Sequence, residues 1–150
     1  MTARTVDKSK GTSISIRRSL YEKVFSVVSE INFKCGMFLG RGIQQSDIFE
    51  CLALRFTSRL MGLTELNLNH QLRDRSNPGV RKTTVYLNAK TSLALDNLVS
   101  AINGILNKKD VYVTKADILE LLIIQCLDDV LSYFFSMAND SNKSSDNKNA

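Results

Sequence analysis

Histidine occurs once in this 150-residue chain, at His70, and the three cysteines lack CxxC spacing. Without a second histidine or paired cysteines, the sequence argues against a zinc site and against a cysteine–histidine nucleophile. A phosphate-binding loop and a nucleophile elbow are also missing. Helix caps and solvated charges account for the carboxylates in the helical segments: Glu22, Glu30, Asp47, Glu50, Asp117 and Glu120. We therefore predict that the protein is not an enzyme and binds no metal or cofactor.

Long apolar runs are scarce as well. The N-terminus has no apolar stretch of the kind found in signal peptides. The longest apolar run, Ile118–Leu127, is interrupted by Glu120 and Gln125, which makes it too short to span a bilayer. It is predicted to be a buried helix, and the cysteines are predicted to pack as reduced, apolar side chains. These features together predict a cytoplasmic protein without membrane contact.

Positive charge is concentrated in two segments of the chain rather than distributed along it. The formal net charge is +5, and basic residues cluster in residues 1–18 and 71–82, which each precede or include a predicted strand entrance. This pattern indicates a surface that faces a polyanion. The alternative is that the basic segments only improve solubility. Apolar residues make up 43% of the chain, enough to fill a core.

The chain repeats itself at a spacing of about 71 residues. Residues 12–16 return at 83–87, residues 27–32 at 98–103 and, with one residue fewer between, residues 46–48 at 116–118. A repeat of this kind has to be recognised first, because it decides the fold. A lone strand with two helices leaves unpaired strand edges, so the two copies are expected to fold against each other.

Each copy is predicted to contain a short strand, a helix, a loop and a second helix. In the first copy, Ser13–Arg17 alternates with Ile14 and Ile16 inward. Ser19–Glu22 has the form of a capping box at a helix start, and the second helix begins near Gln45.

The second copy follows the same order. Its strand is predicted at Thr84–Asn88, its first helix from about Ser92, and its last helix behind an N-cap at Thr114. The predicted organisation is a basic flexible arm at 1–11, a first copy at 12–62, a linker with an Asn77–Gly79 turn at 63–82, a second copy at 83–138, and a disordered tail at 139–150. The two copies are expected to pack as one domain.

This strand–helix–helix pattern resembles the ribbon-helix-helix fold of the Arc/MetJ superfamily, and its tandem form is similar to TraY-type proteins of conjugative plasmids. The resemblance covers residues 12–62 and 83–134. It implies a mainly α fold with one short two-stranded antiparallel ribbon, in which β-α-α occurs twice as a pseudo-dimer. It also implies a bacterial, phage or plasmid-encoded protein whose ribbon enters the major groove of double-stranded DNA, which is wide enough to admit it.

The resemblance also implies site residues. Base-reading positions are the outward residues of the two strands: Ser13, Ser15, Arg17, Thr84, Tyr86 and Asn88. Contacts to the DNA backbone are expected from the basic segments and the starts of the second helices: Lys8, Lys10, Arg18, Gln45, Ser46, Arg81, Lys82, Thr114, Lys115 and Ala116. Because the outward residues of the two strands differ, the DNA site is predicted not to be palindromic.

Three functions remain open at this level. The first is a sequence-specific DNA-binding transcriptional repressor, and the second is an accessory DNA-binding protein at the transfer origin of a mobile element. The third is a helical, oligomerising interaction protein that does not bind DNA and uses apolar surface on Ile118–Phe135. Expected partners are double-stranded DNA, further copies of the chain on adjacent subsites, and a protein bound by the last helix or the C-terminal tail.

Overall fold

The computed structural model describes residues 11–36, 41–62, 65–105 and 112–148. Within them the chain is mainly helical and has one two-stranded antiparallel sheet. The elements are β1 (Thr12–Arg17), α1 (Arg18–Cys35), α2 (Gln45–Arg55), a 3-10 helix (Thr57–Gly62), α3 (Glu65–Ser76), β2 (Lys82–Leu87), α4 (Ala89–Ile105) and α5 (Lys115–Lys148). The prediction of a mainly helical fold with one short antiparallel ribbon is confirmed.

The two strands pair in a register that is symmetric about one residue pair. Ile14 lies opposite Val85, and these are equivalent positions in the 71-residue repeat. Side chains alternate between the two faces of a strand, so every second residue reaches the core. Ile16, Val85 and Leu87 are buried, and Ile14 is partly buried against the same core. The ribbon therefore covers the helices with one face and leaves the other exposed.

Helix α5 is the centre of the core. It packs against α1, α2, α3, α4 and β1. Its apolar side chains are buried on more than one face: Ile118, Leu119, Leu121, Leu122, Ile123, Cys126, Val130 and Phe134. Among the large apolar side chains described for α5, Ile124 is the one classed as exposed. Most of the apolar surface of this helix is therefore buried or partly buried inside the fold.

Helix α1 follows β1 without an intervening loop. The Arg18 backbone N–H donates to the Arg81 carbonyl oxygen at 2.8 Å, which keeps the strand pairing intact up to the first residue of the helix. The predicted capping box at Ser19–Glu22 is wrong, because the helix has already begun at Arg18. Glu22 instead forms an exposed ion pair with Arg18, 3.6 Å away. The helix ends at Cys35 and is followed by Gly36, whose φ of 64° suits glycine.

The segment interpreted as a linker contains α3. Leu68 and Gln71 of this helix are buried, although its sequence is predominantly polar. The predicted turn behind it is present, since the backbone N–H groups of Gly79 and Val80 donate to the side-chain and backbone oxygens of Asn77. A predominantly polar helix gives a weak periodic signal, which explains why α3 was not predicted.

Two other boundaries differ from prediction. Helix α4 begins at Ala89 rather than near Ser92. The tail predicted to be disordered from Asn139 is helical as far as Lys148. Helical structure propagates at little cost once nucleated, so α5 continues beyond the last residue that composition would assign to it.

The same pair of hydrogen bonds links α1 to the loop before α2 and α4 to the loop before α5. The Asn32 side-chain amide donates to the Ile43 carbonyl oxygen at 2.9 Å, and its Oδ1 accepts from the Ile43 N–H at 2.6 Å. Asn103 makes the equivalent bonds to Val113 at 3.1 and 2.9 Å. Asn32 and Asn103 are equivalent in the repeat, and so, with one residue fewer, are Ile43 and Val113.

Two glycine substitutions should have opposite effects. A Cβ on Gly11 would overlap the Leu87 carbonyl oxygen and the Tyr86 side chain, whereas a Cβ on Gly104 in α4 meets nothing within 4 Å. Overpacking costs about 1–3 kcal/mol, so Gly11→Ala should lower the free energy of unfolding by about that amount. Gly104→Ala should raise it by about 0.5–1 kcal/mol, because alanine favours the helix. Urea unfolding measures both, and a neutral Gly11→Ala would contradict the placement of residue 11.

Candidate nucleic-acid interface

Four polar side chains form a compact patch on the outer face of the ribbon. Ser13 lies opposite Tyr86, and Ser15 lies opposite Thr84. All four are exposed, and the Tyr86 side chain has 60% of its surface in solvent. We call these four residues the ribbon row. Opposite residues of an antiparallel pair lie about 5 Å apart, so four hydroxyl groups are presented together from a rigid platform. The predicted outward orientation of these residues is confirmed.

Arg17 does not continue the ribbon row, and its predicted outward orientation is wrong. Its side chain is 14% exposed. Its Nε donates to Glu120 Oε1 at 2.8 Å and its Nη2 to Gln71 Oε1 at 2.8 Å. The fully buried Glu120 carboxylate requires a cationic partner, and this requirement overrides strand alternation at the last residue of β1. In this arrangement the guanidinium is not available to a base.

Asn88 is also placed differently from the prediction. It lies one residue beyond β2, and its Oδ1 accepts a hydrogen bond from the Thr91 backbone N–H at 2.9 Å. The side chain therefore caps the start of α4, where an amide oxygen satisfies a backbone donor that the helix leaves unpaired. The cap explains why α4 starts earlier than predicted.

The start of α2 lies beside the ribbon row. Gln45, Ser46, Thr84 and Tyr86 line one open cavity of about 450 Å³, together with Tyr21. Predicted backbone-contacting and base-reading residues are thus brought together here. The exposed N–H groups of a helix start, with the helix dipole behind them, suit an anion such as phosphate.

Asp47 compensates for the absence of a serine or threonine cap on α2. Its carboxylate accepts from the Gln44 backbone N–H at 2.8 Å and from both terminal nitrogens of Arg41 at 2.8 Å. Burial opposes ionisation of this carboxyl, but the bonds from Arg41 and Gln44 outweigh it and hold the pKa of Asp47 below its usual range. The N-cap of α2 is Gln44, and the Asp47 carboxylate three residues later orders this helix start.

The start of α5 repeats this design with the predicted threonine. Thr114 Oγ1 accepts from the Asp117 N–H at 3.3 Å, and the Asp117 carboxylate accepts from the Thr114 N–H at 2.9 Å. The predicted cap is confirmed. Lys115 donates to Ser92 at 2.9 Å and lies 3.0 Å from an Asp96 carboxylate oxygen, so its charge is already partly compensated. The Ala116 side chain is buried and can offer only its backbone.

Three exposed cations stand at one end of the ribbon. Arg17 lies opposite Lys82 at that end, and Arg18, Arg81 and Lys82 are exposed around it. The opposite end, where Thr12 faces Leu87, carries no comparable cluster within the part of the chain that the structure describes. Lys8 and Lys10, predicted to contact the DNA backbone, lie outside the described residues, as does Arg4.

Sequence reasoning missed a buried network of four residues: Arg17, Gln71, Arg75 and Glu120. Glu120 has no solvent-exposed side-chain surface and is not the solvated charge that was predicted. It accepts from the Arg17 backbone N–H at 2.7 Å, from Gln71 Nε2 at 2.8 Å and from Arg75 Nη1 at 2.7 Å. The available signal was a glutamate in the middle of the longest apolar run.

The buried cysteines are poor nucleophiles in this environment. Burial raises the pKa of Cys51 to about 11 and raises the pKa of Cys126. Both are therefore thiols rather than thiolates near neutral pH.

Comparison with known proteins found no matching family model, curated protein or solved structure. None of the helices in the described ranges has the length and apolar content needed to cross a membrane.

Removing the charge of Glu120 should be far more destabilising than removing that of its repeat equivalent, Glu50. Glu120→Gln leaves Arg17 without its buried anion and Arg75 with only its longer 3.7 Å contact to Asp117. Breaking a buried ion pair costs about 3–5 kcal/mol. Glu50 is partly exposed and 3.9 Å from Lys90, so Glu50→Gln should cost at most about 1 kcal/mol. Urea unfolding of the two variants tests this, and equal losses would contradict the assigned role of the network.

Proposed function

We propose that this protein is a sequence-specific double-stranded DNA-binding protein that reads the major groove with its ribbon and acts as a transcriptional repressor. In this proposal the chain is a tandem ribbon-helix-helix pseudo-dimer, with the two copies paired within one molecule. The observation that carries it is the ribbon row, a patch of four exposed hydroxyl-bearing side chains on a two-stranded antiparallel ribbon.

Three repeated features support the two-copy arrangement. The ribbon register is symmetric about the equivalent residues Ile14 and Val85. The loops between the helices of each half are held by equivalent asparagines, Asn32 and Asn103. Both second helices begin with a carboxylate that accepts a bond from a backbone N–H three residues earlier. A duplicated unit would produce this pattern, in which equivalent residues of the two copies make the same contacts.

The chemistry of the ribbon row suits base edges. Hydroxyl groups donate and accept, so serine and threonine can bond to several bases, and a side-chain surface such as that of Tyr86 can contact a thymine methyl group. Phosphate contacts would come from the exposed cations Arg18, Arg81 and Lys82 and from the starts of α2 and α5. Arg17 and the Asn88 side chain are omitted from the proposed base-reading set, because each is engaged within the fold.

The interface is asymmetric, which favours a DNA site without two-fold symmetry. One strand presents Ser13 and Ser15, and the other presents Thr84 and Tyr86 at the equivalent outward positions. The exposed cations are gathered at one end of the ribbon. A protein with unlike half-interfaces would bind DNA in one preferred orientation.

The alternative of an interaction protein without DNA binding is weakened by the packing of the last helix. It rested on surplus apolar surface there, and most of that surface is buried or partly buried in the core of this chain, with Ile124 exposed. An accessory protein at a transfer origin would bind DNA in the same way, but its site would lie beside a nick site rather than at a promoter.

Removal of two ribbon hydroxyls should reduce selectivity. A binding site is first selected from random duplexes and sequenced, and affinities are then measured by fluorescence anisotropy. Combining Ser15→Ala with Thr84→Val removes neighbouring hydroxyls while retaining β-branching at position 84. It should weaken binding to the selected site by about 1–3 kcal/mol for each base that is no longer read and leave non-specific binding unchanged. Ser100→Ala, an exposed serine of α4, is the matched control. Unchanged selectivity in the double variant would refute the reading role.

The cation cluster should control the salt dependence of binding. Arg18→Ala and Lys82→Ala should each weaken binding to all duplexes alike and reduce the slope of log K against log salt by about 0.9 for each phosphate that is no longer neutralised. Lys23→Ala removes an exposed cation on another face of α1 and should leave the slope unchanged. Equal slopes in all three variants would contradict the placement of phosphates at this end of the ribbon.

A further inference from the structure

A groove beside α2 is filled in one half of the molecule and open in the other. The open groove has a volume of about 250 Å³, and we call it the α2 groove. It is lined by Asp47, Glu50, Cys51, Leu54, Arg55, Lys90, Tyr133, Phe134 and Met137. Its two carboxylates, Asp47 and Glu50, are the repeat equivalents of Asp117 and Glu120.

In the second half, the corresponding carboxylates are covered by α3. Arg75 Nη1 donates to Glu120 at 2.7 Å, and its Nε lies 3.7 Å from Asp117 Oδ1. Gln71 adds a second bond to Glu120, and Leu68 is buried on the same helix. The segment that precedes β2 thus supplies a cation to a carboxylate of the last helix.

The segment that precedes β1 carries an arginine at the equivalent position. At the repeat spacing of 71 residues, Arg4 corresponds to Arg75, and both are followed by a small hydroxyl residue. Arg75 lies eight residues before Thr83, and Arg4 lies eight residues before Thr12. The same number of residues therefore separates each arginine from the strand that follows it.

The α2 groove lies close to where β1 begins. Glu50 is 3.9 Å from Lys90, and Lys90 is three residues beyond the end of β2. The last residue of β2, Leu87, is paired with Thr12, the first residue of β1. The start of β1 therefore lies at the same end of the ribbon as Lys90 and Glu50.

The Glu50 carboxylate can also accept a shorter ion pair from a second cation. Its side chain is 33% exposed, and the Lys90 ion pair is long and made by a side chain that is 72% exposed. Asp47 is already held by Arg41, so the α2 groove offers one carboxylate rather than two. An aromatic side chain of the α2 groove already contacts one guanidinium, since Arg55 lies over the Tyr133 ring, 4.7 Å from its centre.

We propose that the α2 groove is the docking site of the N-terminal arm, and that Arg4 binds Glu50 there as Arg75 binds Glu120. The contact anchors residues 1–10 to the end of the ribbon that lacks the exposed cation cluster. This inference rests on the two-copy arrangement proposed above but not on DNA binding, and its test contains no DNA.

The test is zero-length cross-linking of the full chain carrying Arg4→Lys. A carbodiimide activates a carboxylate, the lysine amine displaces the activating group, and an amide forms with release of the corresponding urea. Mass spectrometry of the digested monomer should show Lys90 linked to Glu50, an internal control 3.9 Å apart, and position 4 linked preferentially to Glu50. Glu50→Gln should abolish both links. Glu30→Gln, which alters an exposed carboxylate paired with Lys34, should leave both unchanged.

Three results would overturn the proposal while the Lys90–Glu50 link still forms. Position 4 could form no link, it could link to many carboxylates without preference, or its link to Glu50 could occur only between two chains. The last result would identify a second copy as the occupant of the groove. Each is separable from a failure of the DNA-binding proposal, which is measured with duplexes and other variants.

Discussion

The buried carboxylate of Glu120 is the constraint on which much of this structure depends. An ionised group without solvent contact is costly unless cations and hydrogen-bond donors surround it. Here the partners come from the end of β1 and from α3, which are distant from α5 in sequence. Satisfying one charge therefore fixes where the strand ends, where α1 begins and how the segment between the two halves packs.

The same constraint makes the two halves unequal. Glu50 and Glu120 occupy equivalent positions, yet one is partly exposed and the other has no exposed surface. The register of the ribbon is symmetric about the equivalent residues Ile14 and Val85. The charges around the ribbon are not symmetric, because α3 covers Glu120 and the exposed cations Arg18, Arg81 and Lys82 stand at one end. In the proposed function this difference would orient the protein on its DNA site, a property that a homodimer of identical halves lacks.

Residue patterns predicted the parts of the fold that depend on local periodicity. Alternation located the strands and the exposed ribbon row, and the start of α2 and the Thr114 cap were also predicted correctly. Arg17 and Asn88 were misplaced because strand alternation says nothing about a distant buried carboxylate or about a helix that starts immediately after a strand. Helix α3 was missed because its sequence is predominantly polar and carries little helical periodicity.

The most direct test of the proposed reading role is the change in backbone amide NMR shifts when a selected duplex is added. We expect the largest changes on residues of β1 and β2 and at the starts of α2 and α5, with the ribbon row at their centre. Changes confined to surfaces away from the ribbon, such as the exposed Phe25 and Ile124 side chains, would contradict it.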